Sequence, residues 1–151
     1  MSRFGGSIES NKAFALALII CDRIIIEPDT REYSLIGTFD AVLTDSFPCN
    51  LHRLSIYAAI ASNGENVEEI HLGVFDPSGT AIVQSTTRVI DWGGGVAEFA
   101  IPLSQLMLNS SGDYVVQIFV EDRVLLERKI AAKISPGPSQ ELPDQPIACH
   151  L

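Results

Sequence analysis

The apolar positions of this chain fall in short runs separated by turn residues, and none keeps a helical period. The first run, Ala13 to Ile26, is interrupted by Asp22-Arg23, the mark of a bulge or of a strand that changes partners. Pro28-Asp29-Thr30 turns the chain into a second run, Tyr33 to Leu43, in which Gly37 predicts a bulge or bend. Ser46-Phe47-Pro48 ends it. A third run, Leu54 to Ala61, closes at Asn63-Gly64.

The fourth run alternates, with Ile70, Leu72 and Val74 on one face and Glu69, His71 and Gly73 on the other. A strand half-buried in a sheet reads this way. Asp76-Pro77-Ser78-Gly79 is a turn that leads to a hairpin partner at Thr80 to Ile90. Gly93-Gly94-Gly95 ends that arm, and Val96 to Ile101 is the sixth run. Pro102 to Leu106 predicts a single helical turn. Tyr114 to Val120 alternates again, its two faces both largely apolar, which suits a central strand or one bordering an interface. Glu121-Asp122-Arg123 then turns into Val124 to Ile134.

Seven or eight short strands at regular spacing predict an all-β sandwich. The sandwich occupies residues 13–134. Residues 1–12 are expected to be a flexible, polar, Gly/Ser-rich lead-in, and residues 135–151 a Pro-rich, extended or disordered tail with four of the eight prolines and no periodicity. With 151 residues, one core can bury roughly 70% of the extended chain's surface and needs no staples.

The net charge of −9 narrows the partners. Phosphate binding draws on clustered Lys and Arg, and the only adjacent basic pair is Arg128-Lys129. Nucleic acid and an anionic membrane surface are therefore not expected partners. Cys21, Cys49 and Cys149 are odd in number and widely spaced, which is neither a disulfide framework nor a zinc pattern. Cys21 and Cys49 lie in or beside apolar segments and read as small free apolar side chains, which predicts a reducing compartment, the cytoplasm. Ala13 to Ile20 followed by Cys21 imitates an export signal ending at a lipoprotein cysteine. Ile20 stands where cleavage needs a small residue, and the apolar run resumes at Ile24, so the segment reads as a strand.

Two stretches carry a resemblance. Cys21-Asp22-Arg23-Ile24-Ile25-Ile26-Glu27, then Tyr33-Ser-Leu-Ile-Gly-Thr-Phe-Asp40 and Phe47-Pro48, resemble the opening of a bacterial family of uncharacterised small proteins. Ile101-Pro102-Leu103, Gly112-Asp113-Tyr114 and the last hairpin are similar to its closing strands and to those of many immunoglobulin-like sandwiches. The resemblance spans about residues 17–131. It implies a single immunoglobulin-like antiparallel β-sandwich in a bacterial cytoplasm and supplies no catalytic or binding residue.

No catalytic constellation stands out. There is no Gly-X-Ser-X-Gly elbow, and Cys49 with His52 forms a loop pair without an acid to orient it. Cys49-X-X-His52 and Cys149-His150 match metal-ligand spacing only loosely. Asp22, Asp29, Asp40, Asp45 and Asp76 sit at predicted strand ends, where turns favour Asp for backbone reasons; calcium would need them gathered on one rim. No cofactor is expected. Trp92, the single tryptophan, is either a core plug or an interaction anchor. Asp22 and Arg23 are a structural pair within an apolar run. Tyr114, entering a late strand, has the place of a tyrosine that locks a sandwich corner.

The expectation is a non-enzymatic protein-interaction or assembly module, with a protein partner or self-association through edge strands. Two alternatives stand beside it. One is an enzyme using surface carboxylates or Cys49/His52, which needs those groups in one pocket. The other is an exported, anchored sandwich.

Overall fold

A computed structural model of the chain describes residues 12–62, 67–89 and 95–135, together with the main chain of residues 149–150. Each of the eight apolar runs yields strand, and the run Tyr33 to Leu43 splits in two at Phe39-Asp40, so nine strands result. They form β1 (Phe14–Ile26), β2 (Tyr33–Thr38), β3 (Ala41–Thr44), β5 (Leu54–Ser62), β6 (Glu69–Phe75), β7 (Ala81–Arg88), β8 (Gly95–Leu103), β10 (Gly112–Val120) and β11 (Arg123–Ile134). Three short strands join them: β4 (Cys49–Leu51), β9 (Leu106–Leu108) and β12 (Cys149–His150). The helical turn expected at Pro102 to Leu106 is absent. Pro102 lies inside β8, and Leu106 opens β9.

Two sheets make the sandwich. The first has the order β2-β1-β5-β8 and the second the order β12-β3-β11-β10-β6-β7. β5 and β8 share one sheet while β6, β10 and β11 share the other with β10 between them. Strands B and E, and C, F and G, divide in the same way in immunoglobulin domains. Among the described residues all pairs are antiparallel except β3 with β11. The chain is an all-β, immunoglobulin-like sandwich.

The core follows from period-two alternation. Leu18 and Ile20 of β1 and Leu54, Ile56, Ala58 and Ile60 of β5 face inward from the first sheet. Ile70, Leu72 and Val74 of β6, and Tyr114, Val116, Ile118 and Val120 of β10, meet them from the second. Each fully buried Leu or Ile contributes roughly 1.5–3 kcal/mol. The β4–β9 pair, with Cys49, Leu51, Leu106 and Leu108 buried, packs against one margin of this core.

β1 changes partners along its length. It pairs with β5 from Phe14 to Cys21, with a register shift between Ala15 and Ala17, and with β2 from Cys21 to Ile26. Cys21 is the residue common to both ladders. The segment from Cys21 through the end of β2 is therefore a hairpin arm whose strand pairing with β5 is confined to one residue.

Candidate functional site

The arm folds back over the sheet. Tyr33 of β2 stands opposite Ile26, while Tyr57 of β5 stands opposite Ile19. Along a straight strand those positions lie about 23 Å apart, seven residues at about 3.3 Å each. The Tyr33 and Tyr57 ring centroids are nevertheless 5.6 Å apart. The Tyr33 hydroxyl also donates to Glu98 O on β8, at 3.3 Å. The Tyr57 hydroxyl donates to the Glu98 carboxylate. Burial and that bond to Glu98 push the Tyr57 phenol up to about 12.

At the pivot, Cys21 is fully buried and is a free thiol. Its Sγ lies 3.6 Å from Ser55 O and 3.4 Å from Arg23 O. Burial, and next the Asp22 carboxylate, push the Cys21 thiol up. Gly37 has φ +72°, and a Cβ there would stand 3.0 Å from the Asp22 Cβ, so glycine suits the close pairing of the two arm strands.

The strand edges of the first sheet differ in how they are occupied. Among the described residues no strand covers β1 between Phe14 and Ile20 on the side away from β5, yet three carbonyls along that side are taken. Arg123 donates to Ala13 O at 2.7 Å, Arg128 Nε to Leu18 O at 2.8 Å and Phe39 N to Ile20 O at 3.1 Å. Arginine side chains thus guard this edge. A shallow groove of about 330 Å³ lies there, with Leu18, Ile20 and Phe39 lining it beside Asp40, Arg128 and Lys129. Since Arg128 Nε is bound to Leu18 O, the groove is closed to strand addition.

β8 has a different edge. It pairs with β5 through nine consecutive positions with no register shift. Because Ile20 O faces Phe39, the Ile20–Ile56 pair is not mutually hydrogen-bonded, and Ser55 faces β1. Pro102, opposite Ser55, therefore directs its nitrogen away from β5, where an edge strand tolerates proline. Val96, Glu98 and Ala100 share that orientation. Their main-chain donors and acceptors face outward, with Tyr33 bound to Glu98 O. Val96, on the outer face, is 58% exposed, and Phe14 and Leu16 of β1 are exposed with it.

The other singled-out residues are dispersed. Asp22 pairs with Arg53 at 3.1 Å and not with Arg23, because adjacent strand residues point to opposite faces. Asp76 caps its own turn, accepting from Ser78 N at 2.9 Å, Ser78 Oγ at 2.6 Å and Thr80 N at 2.9 Å. The Tyr114 hydroxyl bonds the Ser110 main chain. His71 Nδ1 meets Thr86 Oγ1 at 3.0 Å and its ring stacks on Phe119. Among the described residues no three His, Cys, Asp or Glu side chains gather where a metal ion could be held. Trp92 lies outside the described residues.

Cys49 corrects an expectation. It is disulfide-bonded rather than a free apolar side chain. A sulfur so committed is no nucleophile, so the Cys49/His52 pair has no catalytic thiol in this form. Among the described residues no helix is long and apolar enough to cross a membrane.

An immunoglobulin-like sandwich with one guarded and one outward-facing strand edge is the class that fold and site define. The chain belongs to a family of unknown function, DUF6941, whose model matches residues 16–133. No curated protein matches it. Among solved structures it is similar to an immunoglobulin-like protein from Pseudomonas aeruginosa, at 11% identity and a TM-score of 0.43, covering 82% of this chain and 98% of that one. It is also similar to a β-glucuronidase from Bifidobacterium dentium complexed with coumarin-3-O-glucuronide, at 12% identity and a TM-score of 0.38. That likeness covers 80% of this chain and 18% of the enzyme.

Proposed function

We propose that the protein is a non-enzymatic interaction module that joins a second protein strand to the outward-facing edge of β8, which no strand covers among the described residues. The observation that carries this reading is the edge itself, nine residues in unbroken register whose Val96, Glu98 and Ala100 main-chain groups face away from β5. A long, regular edge of this kind is a template for strand addition.

A second copy of the chain suits the edge. If two β8 strands pair antiparallel with Phe99 opposite Phe99, Glu98 stands opposite Ala100 and Val96 opposite Pro102. Like charges are then never directly opposed, which a register placing Glu98 against itself would force. The proline withdraws only a donor at each end of the ladder.

The test is sedimentation equilibrium from micromolar to millimolar concentration, on the wild type and on Ala100→Pro. The variant removes an edge N–H while leaving the β5 ladder whole. A concentration-dependent dimer that Ala100→Pro abolishes, with its melting temperature kept, is the expected result. A monomer throughout, or a dimer indifferent to the variant, overturns the reading.

The compartment is a separate matter. The expected reducing cytoplasm rested on free cysteines, and the Cys49 disulfide favours an oxidising compartment and hence the exported alternative. Alkylation of denatured protein from its native host, without and with reductant, decides it. Label at Cys49 before reduction supports the cytoplasm, and label only after reduction supports export.

A further inference from the structure

From the latch between arm and sheet we infer that the β1–β2 arm is a built-in guard of the β8 edge, with Tyr33 as the closing contact. The inference rests on the reading of β8 as the interaction edge and adds how that edge is regulated. Three observations on different strands converge on it.

First, the arm's ladder pairing with the rest of its sheet is confined to one residue, since Cys21 alone pairs with both β5 and β2, and beside it the Asp22–Arg53 ion pair holds the base of the arm. A two-stranded hairpin held at a single register position is the part of a sheet most ready to move as a unit, because a lone hairpin is marginal by itself.

Second, the arm ends on the edge it would protect. Tyr33 donates to Glu98 O, the acceptor at the middle of the outward-facing set, flanked by Val96 and Ala100. An incoming strand in the register given above needs that same carbonyl for the N–H of the second copy's Ala100. Hydroxyl and partner strand compete for one acceptor.

Third, the latch is small. Besides the Tyr33 bond it consists of the Tyr33–Tyr57 ring contact and the Tyr57–Glu98 bond, the latter internal to the sheet, while the Asp22–Arg53 ion pair lies at the pivot rather than at the closing end. One neutral hydrogen bond corresponds to roughly a five-fold shift in an open–closed equilibrium. A guard of that strength delays strand capture without forbidding it. Opening it also uncovers Cys21, buried at the pivot, which supplies a chemical reporter.

The experiment compares wild type, Tyr33→Phe and Tyr33→Ala in three measurements: hydrogen exchange at the Glu98 and Ala100 amides, the rate at which a thiol reagent labels Cys21 in the native protein, and the dimer constant. Tyr33→Phe deletes the hydroxyl and keeps the ring, so it tests the latch even if Tyr33→Ala disturbs folding. For Tyr33→Phe, Cys21 labelling about five-fold faster and a dimer about five-fold tighter are expected, with a larger gain for Tyr33→Ala. Unchanged labelling and unchanged association in both variants overturn the guard. Faster labelling with no association in any variant keeps the arm mobile but removes the edge it was said to guard, so failure of the β8 reading is separately visible. Association in the wild type that neither variant alters leaves β8 as the interface and eliminates the guard.

Discussion

The Tyr114 hydroxyl and the Ser110 main chain are bonded twice, the hydroxyl donating to Ser110 O at 2.8 Å and accepting from Ser110 N at 3.1 Å. Tyr114 is buried at the start of β10, and Ser110 lies in the loop that brings the chain from β9 into it. A ring packed in the core thus fixes the corner between the sheets. Replacing Tyr114 by Phe keeps the ring and strands two main-chain groups. Urea unfolding should show a loss of about 1–3 kcal/mol with an unchanged slope against denaturant. A loss of under a few tenths of a kcal/mol would mean that water takes the hydroxyl's place.

The strands were legible because alternation is local. Ile70, Leu72 and Val74 show their buried face in the order of the residues alone. The pairings of β4 with β9 and of β12 with β3 were not, since ladders of two or three positions between distant segments leave no period to detect. Pro102 misled for a related reason. Proline suggests a helix start when neighbours are unknown, whereas on an edge strand its missing N–H costs no ladder bond. The Asp22-Arg23 interruption did mark where β1 exchanges β5 for β2, but the Arg53 partner of Asp22 depends on tertiary placement. The Tyr33–Tyr57–Glu98 latch joins residues up to 65 positions apart, and no spacing rule reaches that far.

The Asp76 turn gives a pH dependence with a defined sign. The Ser78 hydroxyl first, then the Thr80 N–H and the other turn amides, hold the Asp76 carboxyl below its usual range. A carboxyl depressed in the folded state stabilises above its unfolded pKa, and that contribution is lost as pH falls through the folded value. Asp76→Asn lacks the charge at every pH. Unfolding curves of wild type and variant should therefore differ near neutrality and draw together in acid. A gap independent of pH would assign the turn's stability to shape alone.

The opposite sign holds at Tyr57. Its phenol is pushed up to about 12, first by burial and then by the bond to Glu98. A raised group contributes stability that is complete below the unfolded value, about 10 for tyrosine, and that disappears as pH climbs through the folded value. In a phenolate absorbance titration the component near 12 should vanish in Tyr57→Phe. In Glu98→Gln it should move towards the ordinary range, because a neutral amide neither repels the phenolate nor holds its proton so firmly. A Tyr57 titration identical in wild type and Glu98→Gln would leave burial, with the neighbouring Tyr33, as the cause.

Arg128 protects an edge rather than balancing a charge. Its Nε donates to Leu18 O on the side of β1 that β5 does not cover, while Arg123 does the same for Ala13 O. Replacing Arg128 by Ala leaves the Leu18 carbonyl to solvent or to another chain. The bond is only partly buried, so the stability loss should be modest, about 1 kcal/mol. The larger expected effect is on association: an uncovered β1 edge invites strand pairing, and heated Arg128→Ala should turn turbid at a lower temperature than wild type. Arg128→Lys separates charge from geometry. A lysine keeps the charge but lacks the planar guanidinium whose Nε sits against Leu18 O, so it should behave like the alanine variant. If lysine restores the wild-type turbidity curve, net charge keeps the copies apart and the hydrogen bond to Leu18 does not.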